Sequence, residues 1–219
     1  MQKYLDDISN GKRYTLSDMV RASCNDCAGC SSCCEDMGDS ILLDPLDIYE
    51  LTGHLHRTFE QLMDQSIELH VVDGMILPNL KMSAETNACP FLNKQGRCSI
   101  HSFRPGICRV FPLGRIYEDG KLDYFLQAEG CVKQERSKVK VGKWLDTPDL
   151  KRNQKYLIDW HAFRKKIGEI LAAMDDENQK RMINLFLLKT FYIQPYDGSG
   201  DFYPQFYERM EKIKQVIGN

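Results

Sequence analysis

The stretch CNDCAGCSSCCEDMG, residues 24–38, places five cysteines in the eleven positions from Cys24 to Cys34. No other feature of the 219-residue chain restricts its fold so strongly. A free cysteine in a core packs as a small hydrophobe among other hydrophobes, whereas these thiols are flanked by Asn, Asp, Gly and Ser. Nine cysteines in all, an odd number, fit poorly with complete pairing into disulfides. The first twenty residues carry Asp6 and Asp7 and no apolar segment, so they do not read as a secretion signal. The chain therefore reads as cytoplasmic, where thiols stay reduced and clustered cysteines indicate metal or catalysis.

The cluster admits two registers. Cys24, Cys27, Cys30 and Cys34 form C-x2-C-x2-C-x3-C, the spacing of a bacterial ferredoxin run. Cys27, Cys30, Cys33 and Cys34 instead form C-x2-C-x2-C-C. Two-residue spacers let a tight loop set successive thiolates around one centre, which suits the corners of an iron–sulfur cube. Structural zinc more often draws one C-x2-C from each of two separated knuckles. Adjacent side chains point in different directions, so Cys33 and Cys34 either serve two centres or share one through an unusual bend. The other cysteines, Cys89, Cys98, Cys108 and Cys131, are dispersed and make no second ferredoxin run. Eight thiolates would complete two four-ligand centres, leaving Cys24 as the spare.

The chain changes character near residue 140, since every cysteine lies at or before Cys131. The pattern predicts an α+β fold: a cysteine-rich unit with short hairpins over 1–140, and a helical extension over 141–219 packed on it. Residues 15–23 read as a short helix and 40–43 as a strand. Asp44 caps a helix opening at Pro45, and Thr58 with Gln61 forms a capping box for the next. Hairpins turn at Asp73-Gly74 and Asp119-Gly120, with Pro78 confining the second strand of the first hairpin to an edge. Gln95-Gly96 and Pro105-Gly106 mark further turns. The basic segment SKVKVGKW, 137–144, reads as an exposed connection. Thr147-Pro148 starts a helix bearing Leu157, Trp160, Phe163, Ile167, Leu171 and Met174 at three- and four-residue spacing. A second helix covers 176–192, and a last one carries Phe206, Met210, Ile213 and Ile217 on one face.

The second cysteine stretch, CPFLNKQGRCSIHSFRPGICRVFPLG at 89–114, contains an ordered combination. Cys89-Pro90-Phe91-Leu92 is followed by Cys98-Ser99-Ile100-His101, Arg104-Pro105, Cys108-Arg109 and Phe111-Pro112. With C-x2-C-x2-C-C before it, this resembles the YkgJ-type cysteine-cluster family over residues 24–131, a family described as zinc- or iron-chelating. Taken with the spacing, the resemblance makes Cys27, Cys30, Cys33, Cys34, Cys89, Cys98, Cys108 and Cys131 the expected metal ligands. They would hold one or two iron–sulfur clusters, of the 4Fe-4S type, with zinc as the alternative. Some proteins with this domain are identified as flagellin lysine N-methylases using S-adenosylmethionine and a cluster, so the resemblance implies a methyltransferase activity on protein lysine. Two departures stand out: His101 occupies a position where tyrosine is more usual, and Cys24 lies outside the shared pattern. The chain also lacks the C-x3-C-x2-C run of radical adenosylmethionine enzymes and a Gly-rich loop after a strand. Kinship of domain does not transfer a reaction.

Other residues carry weaker signals. Arg97, Arg104, Arg109 and Arg115 crowd the second stretch. A four-thiolate centre carries a net charge of about −2, which guanidinium groups would offset; an anion pocket for a substrate carboxylate is the rival reading. His101 reads as a ligand, a proton donor or a packed ring. Asp36, Asp39, Asp44 and Asp47 read mainly as caps, although carboxylates also serve as bases or hard-metal ligands. His54, His56 and His70 read as surface or half-buried, and His161 as outward-facing. The aromatic-rich segment 191–207 either binds a peptide or pins the last helix. Basic and acidic residues nearly cancel, 29 against 31, which gives no affinity for nucleic acid or an anionic membrane. The longest apolar runs, such as LFLL at 185–188, are far short of a membrane span. Three functions fit: an enzyme with a protein substrate, a carrier or sensor with a redox partner, and a zinc-stabilised binding or adaptor module without catalysis.

Overall fold

A computed structural model describes residues 8–9, 11–23, 30–127, 130–133 and 135–217. The fold is α+β, as expected, with short antiparallel strand pairs in the first part and helices in the second. Residues 15–23 are not the expected helix. Met19–Ser23 is strand β1, and it pairs with β6 (Ser137–Lys140) inside the segment read as an exposed connection. Along β1 burial alternates, with Val20 and Ala22 buried and Met19 and Arg21 exposed. That two-residue period needs a partner to become a strand, and the partner lies more than a hundred residues away.

The two Asp-Gly hairpins form where expected. β2 (Ile67–Val72) and β3 (Met75–Leu80) turn at Asp73 and Gly74, with φ of 52° and 80°. β4 (Leu113–Glu118) and β5 (Lys121–Leu126) turn at Asp119 and Gly120, with φ of 49° and 70°. Both central residues of each turn are left-handed, the geometry that matches the twist of the flanking strands. Pro78 stands opposite Leu69, and its carbonyl faces away from β2 to accept the Leu43 N–H at 2.9 Å. A residue without an N–H costs the ladder nothing at that outward position. Residues 40–43 run beside this edge but make only the Leu42–Asn79 bridge, so they are not the regular strand expected.

Helices α1 (Pro45–Leu55) and α2 (Phe59–Gln65) start at the two capping boxes, Asp44 with Asp47 and Thr58 with Gln61. Pro105-Gly106, expected as a turn, opens the short helix α3 (Gly106–Val110). After β6 the chain enters α4 (Val141–Leu145), whose Val141 is fully buried. The long helix α5 (Leu150–Ala173) begins three residues later than Thr147, capped by Asp149, and buries Leu157, Trp160, Phe163, Ile167 and Leu171. Helix α6 spans Glu177–Leu188 and then widens into a π-helical turn at Lys189–Ile193. Such a turn leaves carbonyls without helical partners. Arg209, on α7 (Phe202–Ile217), donates to the carbonyls of Thr190, Gln194 and Pro195 at 2.7–2.8 Å. Phe206, Met210 and Ile213 of α7 are buried as expected.

One contiguous set of buried side chains runs from Val20 to Ile213. The β2–β3 and β4–β5 hairpins both pack on α5. Trp160, Phe191 and Phe206 meet edge-to-face or tilted at 5.0–5.9 Å, joining α5, the π turn and α7. Among the described residues, no helix is long and apolar enough to cross a membrane.

Candidate metal centre

Three short segments bring thiols together. In the first, Ser32–Cys34 forms a single 3-10 turn after Cys30, whose thiol donates to Ser32 Oγ at 3.6 Å. The second is the 89–98 loop, closed by the Leu92–Cys98 bridge and turned at Gly96, whose φ is 68°. Cys89 N–H donates to the Cys34 carbonyl at 2.7 Å, which ties the first two segments together. The third is α3, which carries Cys108.

A clamp sets the position of α3. Its own N-cap, Pro105, offers no side-chain acceptor. Asp47 of α1 substitutes: Oδ1 accepts from Gly106 N at 2.7 Å while Oδ2 accepts from Asp44 N at 2.9 Å. On the other side of the same residue, Arg115 Nη2 donates to the Gly106 carbonyl at 3.1 Å. A Cβ on Gly106 would stand 3.0 Å from that guanidinium nitrogen, so glycine is what lets the clamp close. Trp144 Nε1 shares its proton between the Val110 and Phe111 carbonyls at 3.2 Å and holds the other end.

Cys30, Cys33, Cys34, Cys89, Cys98 and Cys108 line one cavity of about 260 Å³. Its other walls include Met37, Met82, Ile100 and Phe111, and among the described residues no carboxylate lines it. The bend at Ser32–Cys34 resolves the problem of adjacent cysteines: Cys33 and Cys34 face the same cavity and contact each other through sulfur. Cys131 is half-buried and does not line the cavity. Its neighbour Gly130 packs against Gln127 and Phe111, which do. Cys24 and Cys27 lie outside the described residues. Among the described residues, no three Cys, His, Asp or Glu side chains stand close enough to hold a single ion.

Four of the cavity thiols are pushed towards the neutral form. The contact with Cys34, then burial, pushes the Cys33 thiol far up, and burial does the same to Cys108, with the Asp47 charge adding to it. Burial also raises Cys89 and Cys98. Arg104 opposes the rise at Cys33 and Cys98, and Arg97 opposes it at Cys98. Both arginines line the cavity, so they favour thiolate there. The other two arginines of the stretch have different work. Arg109 donates to the carbonyls of Asp146 and Ser102 at 2.9 and 2.8 Å, and Arg115 serves the clamp.

His101 also lines the cavity, and Arg104 Nη1 lies 2.7 Å from its Nε2. A guanidinium only donates, so that Nε2 accepts and the ring is neutral. Of the acidic run, half-buried Asp44 and buried Asp47 are caps, and Asp47 also builds the clamp, a role the spacing concealed. The Pro-Gly pair at the start of α3 was the visible sign that its end needed an outside acceptor. His161 is exposed and stacks on Tyr117 at 4.0 Å, and His54 stacks on Phe103 at 4.5 Å. Tyr49, Tyr196 and Phe202, from α1 and the aromatic-rich segment, pack together at 5.0–5.9 Å.

The family model described as "Putative zinc- or iron-chelating domain" matches residues 26–138, a little over half of the chain. The chain belongs to this CxxCxxCC family. All six cysteines of the cavity fall within the matched residues, as do Arg97, His101, Arg104 and the clamp. The family's description points to metal chelation, and a cavity lined by six thiols with compensating guanidiniums has the donor chemistry for it: soft thiolates select zinc, cuprous copper or iron–sulfur centres. No curated protein and no solved structure matches the chain.

A second cavity, of about 760 Å³, lies on the other side of the 102–109 segment. Arg104 lines both, and Asp44, Asp47, Arg109 and Arg115 contribute to the second.

Proposed function

We propose that the sulfur-lined cavity holds an iron–sulfur cluster, and that the protein uses it for protein modification or electron exchange in the cytoplasm. The observation that supports this is the spread of six thiols around one cavity that, among the described residues, no carboxylate lines and in which no three donors stand close enough for one ion. A single zinc would draw four ligands to about 2.3 Å from one point. A cluster places its own iron and sulfide atoms between the thiolates, and so suits donors that stand apart. Cys27 and Cys131 are the further ligands in this reading, enough with the six for one cluster or two. Bound there, the cluster supplies one-electron chemistry or an iron able to bind a substrate atom.

This chain's residues do the rest. Cys33, Cys89, Cys98 and Cys108 release protons to become ligands, Arg97 and Arg104 offset the negative charge, and the clamp fixes Cys108. The polar cavity beyond Arg104 favours an enzyme over a closed carrier, because it offers room for a co-substrate next to the centre. S-adenosylmethionine, with methyl transfer to a protein lysine, is the family-suggested case.

Metal and acid-labile sulfide analysis of anaerobically purified protein tests the reading. Iron with labile sulfide near equal amounts is expected. Zinc alone without sulfide would overturn it and leave a structural adaptor module. Equilibrium dialysis against S-adenosylmethionine then separates methylase from carrier.

A further inference from the structure

The basic segment after Cys131 takes no part in the sulfur cavity, yet it builds a charged face beside it. Residues 133–143 carry Lys133, Arg136, Lys138, Lys140 and Lys143 against a single acid, Glu135. In the β1–β6 register Arg21 stands directly opposite Lys138, and Met19 opposite Lys140. Opposed residues share a face of the sheet, so these four project together, and all four are exposed. Val20 and Val139 take the other face, with Val20 in the core.

Like charges directly opposite each other destabilise a sheet, and Lys140 adds a third cation to the same face. The ion pairs among the described residues, such as Arg13 with Glu118 and Arg164 with Asp73, involve none of the three. Asp18, immediately before β1, is engaged by the Thr15 N–H and hydroxyl, both at 2.7 Å. The arrangement therefore costs the isolated molecule something that an anionic partner would return. Met19, 49% exposed within the same face, adds an apolar contact that a protein surface can bury and a phosphate backbone cannot. Three cations neutralise few phosphates.

The face is also well placed. Helix α4 packs on β1 and on α3, and Trp144 of α4 bonds the end of the helix that carries Cys108. We propose that Arg21, Lys138, Lys140 and Met19 form a docking surface for an acidic, carboxylate-rich protein that works with the sulfur centre. The partner's task rests on the centre proposed above; the surface does not.

The test uses the full chain with its metal, poly-L-glutamate as the acidic probe, and duplex DNA as the competing polyanion. Binding to polyglutamate should weaken with salt and fall at least tenfold in Arg21→Glu/Lys140→Glu, with metal content unchanged. Reversing two exposed lysines elsewhere, Lys165→Glu/Lys166→Glu, should change it less than twofold. Lys138→Glu turns the like-charge pair into an opposite one, so it should raise the melting temperature while weakening binding. Equal losses in the two double variants, or no loss in the first, would overturn the proposal. So would duplex DNA binding more tightly than polyglutamate through the same residues. Patch-dependent binding by protein without iron or sulfide would refute the centre and leave the surface standing.

Discussion

Asp47→Ala removes the acceptor that two part-buried backbone N–H groups share, those of Asp44 at 2.9 Å and Gly106 at 2.7 Å. Each buried donor left without a partner costs about 1–3 kcal/mol. The expected loss is about 2–4 kcal/mol, because both donors are only part-buried. Its pH dependence is specific. Burial, then the Asp44 charge, pushes the Asp47 carboxyl up to about 8. A carboxyl raised in the folded state holds its proton more tightly than the unfolded chain does. The stability it contributes is full below about pH 4, the unfolded value, and falls as pH rises towards its folded value. Alanine lacks that slope, so the difference from wild type should be larger near pH 5 than near pH 8. Urea unfolding midpoints at several pH values measure it, and metal content should fall in parallel as α3 loosens. A loss under about 1 kcal/mol near pH 5, or a difference that grows with pH, would refute the clamp.

Cys108→Ser, deep in the cavity, should abolish metal retention, whereas Cys131→Ser, outside the cavity lining, should retain more; metal analysis of the two variants decides. Burial raises Cys89, Cys98 and Cys108 in the metal-free protein, so each thiol that binds metal must give up a proton. Apparent metal affinity should then rise steadily with pH up to the thiol range, with protons released on binding; pH-independent binding in a competition titration would contradict this. Gly114→Ala would set a Cβ 2.2 Å from the Phe125 ring, which faces Gly114 across the β4–β5 pair. Overpacking of that kind costs about 1–3 kcal/mol, readable as a lowered unfolding midpoint.

The features legible in the sequence were those set by near neighbours. The left-handed Asp-Gly turns, the caps at Asp44 and Thr58 and the apolar stripes of α5 and α7 all depend on residues within a few positions of each other. Strand β1 was not legible, because its alternation gains meaning only from β6, whose basic side chains concealed the half-buried Val139 on its inner face. The same division holds at the site. Spacing identified the cysteines that line the cavity, but not that a 3-10 turn would aim Cys33 and Cys34 the same way. Nor could spacing reveal that Asp47 and Arg115, far apart in the chain, would grip the Gly106 peptide from both sides. The role of Arg104 between two cavities likewise belongs to packing, since it depends on which side of the 102–109 segment each residue faces.

X-ray absorption at the metal edge of anaerobically purified protein tests the central claim most directly, because it reports both the ligand atoms and any second metal nearby. The account predicts iron with a sulfur-only first shell and further iron just beyond it. Zinc bound to four sulfurs, with no second metal in range, would contradict it.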